Sequence, residues 1–256
     1  MLGAIIGDIV GSVYEWNNIK TTQFPFFQPD CFFTDDSVLT VATASALMSG
    51  KGYPETYQDF SRRYPGRGYG GNFSDWIYAQ DPQPYNSWGN GSAMRVSPVG
   101  FAFDSVEAVL EEAKRSAEVT HNHPEGIKGA QAAALAVLLA RQGVSQDKIR
   151  TEISTRFGYD LDRTLAEIRP VYTYDVSCQG SVPEAIIAFL EATDFEDAIR
   201  KAISIGGDSD TIACITGGIA EAAFGVPEEI AEQAYGYLPD EFIQIVEKFY
   251  AFVNGE

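Results

Sequence analysis

Two short acidic clusters stand far apart in the chain, Thr34-Asp35-Asp36 and Asp208-Ser209-Asp210-Thr211, and each opens an apolar run. Singly, each reads as a helix cap. A hydroxyl or carboxylate at a helix start accepts from free backbone N–H groups, and acids in the first turn offset the helix dipole by about 0.3–1 kcal/mol. Together they pose a problem. The runs that follow, 38–48 and 212–223, are apolar enough for their starts to be buried together, and clustered aspartates repel unless protonated or neutralised by a cation. Carboxylate and hydroxyl oxygens are hard ligands, and the chain has 2 histidines and no thiolate cluster. Mg²⁺ or Mn²⁺ therefore suits the set better than zinc or copper, and four aspartates could hold two ions. The chemistry expected of such a centre is metal-dependent hydrolysis.

A third pair of acids lies near the start of the chain, in Gly7-Asp8-Ile9-Val10-Gly11-Ser12-Val13-Tyr14-Glu15. Positions i and i+7 place Asp8 and Glu15 on roughly one face of an otherwise apolar helix. Asp8 reads either as a core carboxylate satisfied by neighbouring backbone groups or as part of the site. Glu15, at the expected helix end, is the better placed to reach metals.

The elements that must position these residues are helical. Phe242, Ile245, Val246, Phe249 and Val253 form one apolar stripe, as do Val106, Val109, Leu110, Ala113 and Ala117, the latter opened by Ser105 as N-cap. Further helices are expected at 35–49, 54–63, 92–102, 125–142, 145–156, 182–192, 195–204, 209–223 and 227–234, and no period-2 strand is found. Stretches 130–140 and 212–223 are small and apolar nearly all round, which predicts helices in the middle of a multilayer bundle, with Gly217-Gly218 permitting close contact. Residues 64–92, rich in Gly, Pro, Asn and aromatics, read as a long functional loop around one short helix. No internal repeat or linker divides the chain, so a single all-α domain over 1–256 is expected.

Composition narrows the function classes. A net charge of -18, from 36 acidic against 18 basic residues, argues against a nucleic-acid or anionic-membrane footprint. It leaves room for a phosphate-bearing small ligand held locally by helix N-termini or cations. Cys31, Cys178 and Cys214 are odd in number and widely spaced, suggesting neither a disulfide framework nor a thiolate metal site, and the chain reads as cytoplasmic. Asp8 interrupts the apolar opening well before the ~18 residues of a membrane span, so this segment reads as a buried helix.

At this point an ordered set of motifs resembles a known family. Gly3-Ala4-x-x-Gly7-Asp8-x-x-Gly11-x-x-x-Glu15, Thr34-Asp35-Asp36, Gly89-Asn90-Gly91-Ser92-Ala93-Met94-Arg95, Thr120-His121 and Gly206-Gly207-Asp208-Ser209-Asp210-Thr211 are similar to the motifs of the ADP-ribosylglycohydrolases, in family order. The resemblance implies a compact orthogonal multi-helix bundle with a binuclear Mg²⁺ or Mn²⁺ centre. It carries the metal-ligand role onto Thr34, Asp35, Asp36, Asp208, Asp210 and Thr211. It also makes Asn90, Gly91, Ser92, Ala93 and Met94 the expected substrate loop, where backbone N–H groups among small residues approach diphosphate and ribose. His121 matches the family's ligand-side histidine, while His123 reads as a hydrogen-bonded loop residue and Arg95 as structural, paired with an acid. Among Tyr69, Phe73, Trp76, Tyr85 and Trp88, most are expected to be packing, with Trp88 and Tyr85 the candidates for stacking on adenine.

The activity implied is cleavage of the glycosidic bond between ADP-ribose and a modified protein side chain, arginine favoured, or a related small ADP-ribose derivative. Metals would orient the distal ribose and a water, with Glu15, Asp35 and Asp210 as the catalytic carboxylates. Two other readings stay open: a metal-dependent nucleotide or phosphate-ester hydrolase, and a non-catalytic ADP-ribose binder or structural relative of the kind the eye-lens crystallins represent. Residues between His121 and Asp208 carry no further motif, and linkage and oligomeric state are not encoded in these motifs.

Overall fold

In the computed structural model, which describes residues 1–255, the expected helices form a bundle; Glu256 lies outside the described residues. In chain order they are α1 (Leu2–Gly11), α2 (Asp35–Ser49), α3 (Tyr53–Arg63), α4 (Gly71–Tyr78), α5 (Gly91–Met94), α6 (Ser97–Ala102), α7 (Val106–Glu118) and α8 (Pro124–Arg141). There follow α9 (Gln146–Phe157), α10 (Leu165–Ile168), α11 (Cys178–Leu190), α12 (Phe195–Ile203), α13 (Ser209–Phe224), α14 (Glu228–Tyr235) and α15 (Asp240–Asn254). Among the described residues the one β feature is an isolated antiparallel bridge between Gly89 and Ser177. The fold is all-α, as the periodicity predicts.

Glycines set the central contact. Gly3, Gly7 and Gly11 recur at i, i+4 and i+8, so they share one face of α1. A methyl group at Gly3 or Gly7 would fall on the carbonyl oxygens of Gly217 or Ala213, and one at Gly11 on the backbone of Asp210. The contacts descend through α13 as they ascend α1, so the two helices are antiparallel with their backbones touching. That geometry puts the end of α1, and the turn carrying Glu15, beside the start of α13, where Asp208 and Asp210 stand. Gly217 and Gly218 do permit close contact, against Gly3 and Ser97.

Around this pair the core is continuous. Residues 132–140 of α8 and 209–220 of α13 are buried on every side, as their composition predicts, whereas α15 buries one stripe, Phe242, Val246 and Phe249. Ser105 caps α7 by accepting from the Ala108 N–H at 3.2 Å. All three cysteines are free and buried, and no helix among the described residues is long and apolar enough to cross a membrane.

Local chemistry explains four departures. The helix expected at 92–102 is broken into α5 and α6, because Pro98 in the first turn of α6 lacks the N–H that a continuous helix needs. The helix expected from 182 begins at Cys178: Ser177 accepts from the Gly180 N–H at 3.1 Å and caps an extra turn ahead of Pro183. The short α10 was not expected, although its capping box, Thr164 with Glu167, is written in the sequence. Finally, α1 ends at Gly11, so Glu15 is not on its face; Asn18 donates to the Tyr14 and Glu15 carbonyls, both at 2.8 Å, and holds the segment as a turn.

Candidate metal centre and binding cleft

The start of α2 is fixed by Asp8. Its carboxylate accepts from Thr34 N at 2.9 Å, Thr34 Oγ1 at 2.6 Å, Ser37 N at 3.0 Å, and the Ser37 hydroxyl. Burial pushes Asp8 up to about 6 even against these four bonds. Of the two readings of this residue, the satisfied core carboxylate describes its contacts. Thr34 takes the N-cap position, accepting from Asp36 N at 3.2 Å, and turns Asp35 and Asp36 toward a common cavity.

The second cluster arrives from the other end of the chain. Gly206 and Gly207 both have positive φ, 74° and 73°, a turn that glycine adopts without strain. Gly207 N donates to Asn18 Oδ1 at 2.6 Å, locking that turn to the segment behind Glu15. Asp208 occupies the N-cap position of α13 yet makes no capping bond; its Oδ2 accepts from Asn90 Nδ2 at 2.7 Å. Thr211 Oγ1 donates to Asp36 Oδ2 at 3.2 Å, joining the two clusters directly.

The acids form two overlapping groups. Carboxylate oxygens of Asp8, Asp36 and Asp210 lie within 4.8 Å of one another, and so do those of Glu15, Asp208 and Asp210. Asp35 faces the same cavity outside both groups, its N–H bonded to Arg67 O at 2.8 Å. Burial first, and the neighbouring carboxylates second, hold Asp35, Asp36 and Asp210 well above the usual carboxylate range. Asp208 and Glu15 are raised as well by burial, against bonds that favour their charged forms.

Does this set fit a metal? Glu15, Asp35, Asp36, Asp208 and Asp210 line the cavity, and among the described residues none of them is in an ion pair. Asp36 Oδ1 is buried with no hydrogen-bond partner. A buried, unpaired carboxylate oxygen amid like charges is the situation a divalent cation relieves, and an all-oxygen donor set matches Mg²⁺ or Mn²⁺. The residues fit the group.

The cavity, about 530 Å³, extends from the acids to the predicted loop. Asn90, Gly91, Met94 and His121 line it. Ser92 and Ala93 do not: Ser92 Oγ donates to Gly126 O at 2.7 Å and anchors the loop from behind, and Ala93 is buried. Trp88 also lies outside the lining. Its exposed ring sits 5.4 Å from His123, while its carbonyl accepts from Cys178 N at 2.9 Å. Tyr85 does line the cavity, and Phe73 lines it while stacking on Trp76 at 5.3 Å. His123 Nδ1 accepts from Glu125 N at 3.1 Å and caps α8, in keeping with its reading as a loop residue.

Part of the cavity wall carries no sequence motif. Tyr174 and Val176 line the cavity from the stretch that carries no motif, and Tyr174 OH donates to Glu15 Oε1 at 3.0 Å. Trp16 stacks on Tyr174 at 5.3 Å and is largely exposed. Gly66, Arg67, Gly68 and Gly70 supply the opposite wall, where the glycine run was the available signal. Arg95 departs from expectation: it is fully buried but pairs with no acid among the described residues.

Comparisons with known proteins identify the family and the fold. The family model described as ADP-ribosylglycohydrolase matches residues 1–255. The chain is 28% identical to the ADP-ribosylhydrolase ARH3 of Mus musculus, over 93% of this chain and 86% of that protein. It is 25% identical to the ADP-ribosylarginine hydrolase Tri1 of Pseudomonas putida, over 92% of this chain and 73% of the relative. A solved structure titled ADP-ribosylglycohydrolase-related protein complex superposes with a TM-score of 0.68 at 23% identity, covering 98% of this chain and 94% of its own, which shows the shared fold.

Proposed function

The chain belongs to the ADP-ribosylglycohydrolase family of hydrolases, and from that premise we propose that its cleft cleaves the bond between the anomeric carbon of ADP-ribose and a modified side chain, arginine favoured. A small ADP-ribose derivative offers the same bond. The observation that carries this reading is the convergence, in one cavity, of five carboxylates with Asn90, Gly91 and His121. Similarity to a relative named as an ADP-ribosylarginine hydrolase supports the choice of arginine.

Thr34, Asp35, Asp36, Asp208, Asp210 and Thr211 would hold one or two Mg²⁺ or Mn²⁺ ions. Such ions, when bound, supply Lewis acidity and a water of lowered pKa. The chain's own residues do the rest. Asn90 Nδ2 orients Asp208, Thr211 Oγ1 orients Asp36, and Tyr174 OH holds Glu15 Oε1 toward the acids. Hydrolysis joins a water oxygen to the anomeric carbon and breaks the bond to the guanidine nitrogen. Glu15 takes one proton from the attacking water and passes it to the leaving guanidine nitrogen, so the water's OH ends on the sugar and its proton on the released arginine. The buried carboxylates offset the positive charge that develops on the sugar ring. Gly91, Met94 and His121 line the path for the diphosphate and adenosine.

The linkage is tested by incubating the protein and Mg²⁺ with peptides carrying ADP-ribose on arginine or on serine and weighing both products. Faster release of ADP-ribose from the arginine peptide is expected. A serine peptide cleaved faster overturns the acceptor assignment, and binding of both peptides without cleavage overturns the hydrolytic one.

A further inference from the structure

Arg95 is the largest fully buried side chain, it forms part of the cavity wall, and among the described residues no carboxylate answers its charge and Nε and Nη1 have no hydrogen-bond partner. Its guanidinium sits 4.5 Å from the centre of the Tyr57 ring, a cation–π contact. Nη2 donates to Ser116 O at 2.9 Å and to Thr120 Oγ1 at 2.8 Å. Thr120 Oγ1 in turn lies 2.7 Å from His121 Nδ1.

Donor counting fixes the direction of this chain of contacts. A guanidinium only donates, so Thr120 Oγ1 is an acceptor toward Arg95. The same hydroxyl carries one hydrogen, and the neighbours left for it are His121 Nδ1 at 2.7 Å and, less closely, the Tyr85 hydroxyl. A protonated Nδ1 would make Thr120 Oγ1 accept from two donors and turn its own hydrogen away from the 2.7 Å contact, toward the more distant Tyr85 hydroxyl. An unprotonated Nδ1 accepts it, and the imidazole proton then resides on Nε2. Burial and the nearby guanidinium both disfavour the imidazolium, so the ring is neutral. Its Nε2 edge faces Gly89 and Gly91, where built side-chain carbons would approach it to 3.5 and 3.2 Å. No group among the described residues pairs with Nε2, and His121 lines the cavity.

We infer that Arg95 and Thr120 are positioning residues that hold His121 as a neutral Nε2–H donor, aimed through the gap left by Gly89 and Gly91 at an oxygen acceptor of the ligand. The tautomer stands on these contacts alone; the ligand half rests on the proposed ADP-ribose chemistry, whose diphosphate and ribose oxygens are such acceptors. A neutral donor of fixed direction binds by geometry where an imidazolium would bind by charge. Thr120, which is outside the cavity lining, thereby acts on the ligand without touching it, and Arg95, in the cavity wall, acts through Thr120.

The chain has 2 histidines, which makes the test direct. Protein labelled with ¹⁵N-histidine is studied free in solution at pH 7 by long-range ¹H–¹⁵N correlation, with His123→Gln assigning the second ring. His121 is expected to show a protonated Nε2 and a bare Nδ1. Thr120→Ser should keep that pattern, and Thr120→Val, or the smaller Thr120→Ala if the valine variant does not fold, should shift it toward the other tautomer. An imidazolium or an Nδ1–H ring in the wild type overturns the inference, as does an unchanged pattern after the hydroxyl is removed. Adding ADP-ribose should move the Nε2–H proton downfield, and His121→Gln should bind within a few-fold of wild type where His121→Ala weakens binding by about tenfold. A correct tautomer with no response to ADP-ribose overturns the ligand half, whether or not the protein hydrolyses anything.

Discussion

Thr211 Oγ1 donates to Asp36 Oδ2 across 3.2 Å, linking two residues that stand 175 positions apart. The bond brings together two helix starts whose acids each look like ordinary caps in isolation. Together they hold more negative charge in a buried place than the surrounding hydrogen bonds satisfy.

That excess has a thermodynamic signature. In chelator, Asp210→Asn removes one of the repelling buried carboxylates and should raise the melting temperature by several degrees, at ~2–4 °C per kcal/mol for a chain of this size. The same variant should lose roughly 100-fold or more of its hydrolytic rate. Calorimetry beside a turnover assay reads both; a variant that is less stable and fully active would contradict the assignment.

Metal should reverse the wild-type deficit. Mg²⁺ or Mn²⁺ at a hundred times its dissociation constant adds about 2.7 kcal/mol through binding to the folded state alone. The melting temperature should rise with ion concentration in the wild type and only weakly in Asp36→Asn, where the unpartnered oxygen has lost its charge.

Asp8 predicts the opposite balance from Asp210, because its oxygens serve four donors of Thr34 and Ser37. Asp8→Ala strands those donors, at ~1–3 kcal/mol for each left unsatisfied. A denaturant titration should show a loss of about 3 kcal/mol or more. Loss of activity at full stability would instead make Asp8 a direct participant.

Gly7→Ala tests the helix contact beneath the site. In a helix interior this exchange usually stabilises by ~0.5–1 kcal/mol. Here the added methyl would fall on the carbonyl of Ala213, so α1 and α13 must separate. Chemical denaturation should report a net loss of ~1–3 kcal/mol, the usual range for overpacking.

For His121 the sign of the pH dependence follows from its depressed proton affinity, caused by burial and then by Arg95. The unfolded chain takes up a proton near pH 6.5 that the native ring refuses, so this residue's contribution to stability falls as pH drops below that value. The difference in unfolding free energy between wild type and His121→Gln isolates it. That difference should be flat above pH 7 and then move against the wild type by up to ~1.4 kcal/mol per pH unit. A flat difference down to pH 5 would contradict a neutral, buried ring.

Much of this was legible in the residues. The helix stripes, the small apolar stretches of α8 and α13, the Thr34 cap and the meeting of the two acid clusters all follow from type and spacing. The end of α1 was not, because a Gly11 that allows close packing reads the same as a Gly that ends a helix, and Asn18 decides between them only through its tertiary contact with Gly207. Tyr174 carries no local pattern: it reaches Glu15 because the chain before Cys178 is pinned to the loop at Trp88 and Asn90. Arg95 misleads for the same reason. An arginine in a chain with twice as many acids as bases suggests an ion pair, and only the fold shows its charge directed at a threonine hydroxyl and a tyrosine ring.

The central claim is metal-dependent cleavage at the anomeric carbon by the clustered aspartates. Its most direct test offers an arginine-ADP-ribosylated peptide to the metal-depleted protein, adds Mg²⁺ or Mn²⁺, and follows the mass of the peptide. No change is expected in chelator, return to the unmodified mass with free ADP-ribose once metal is present, and no change with Asp210→Asn. Equal turnover in chelator, full activity in that variant, or a peptide that retains ribose phosphate after losing AMP would contradict it.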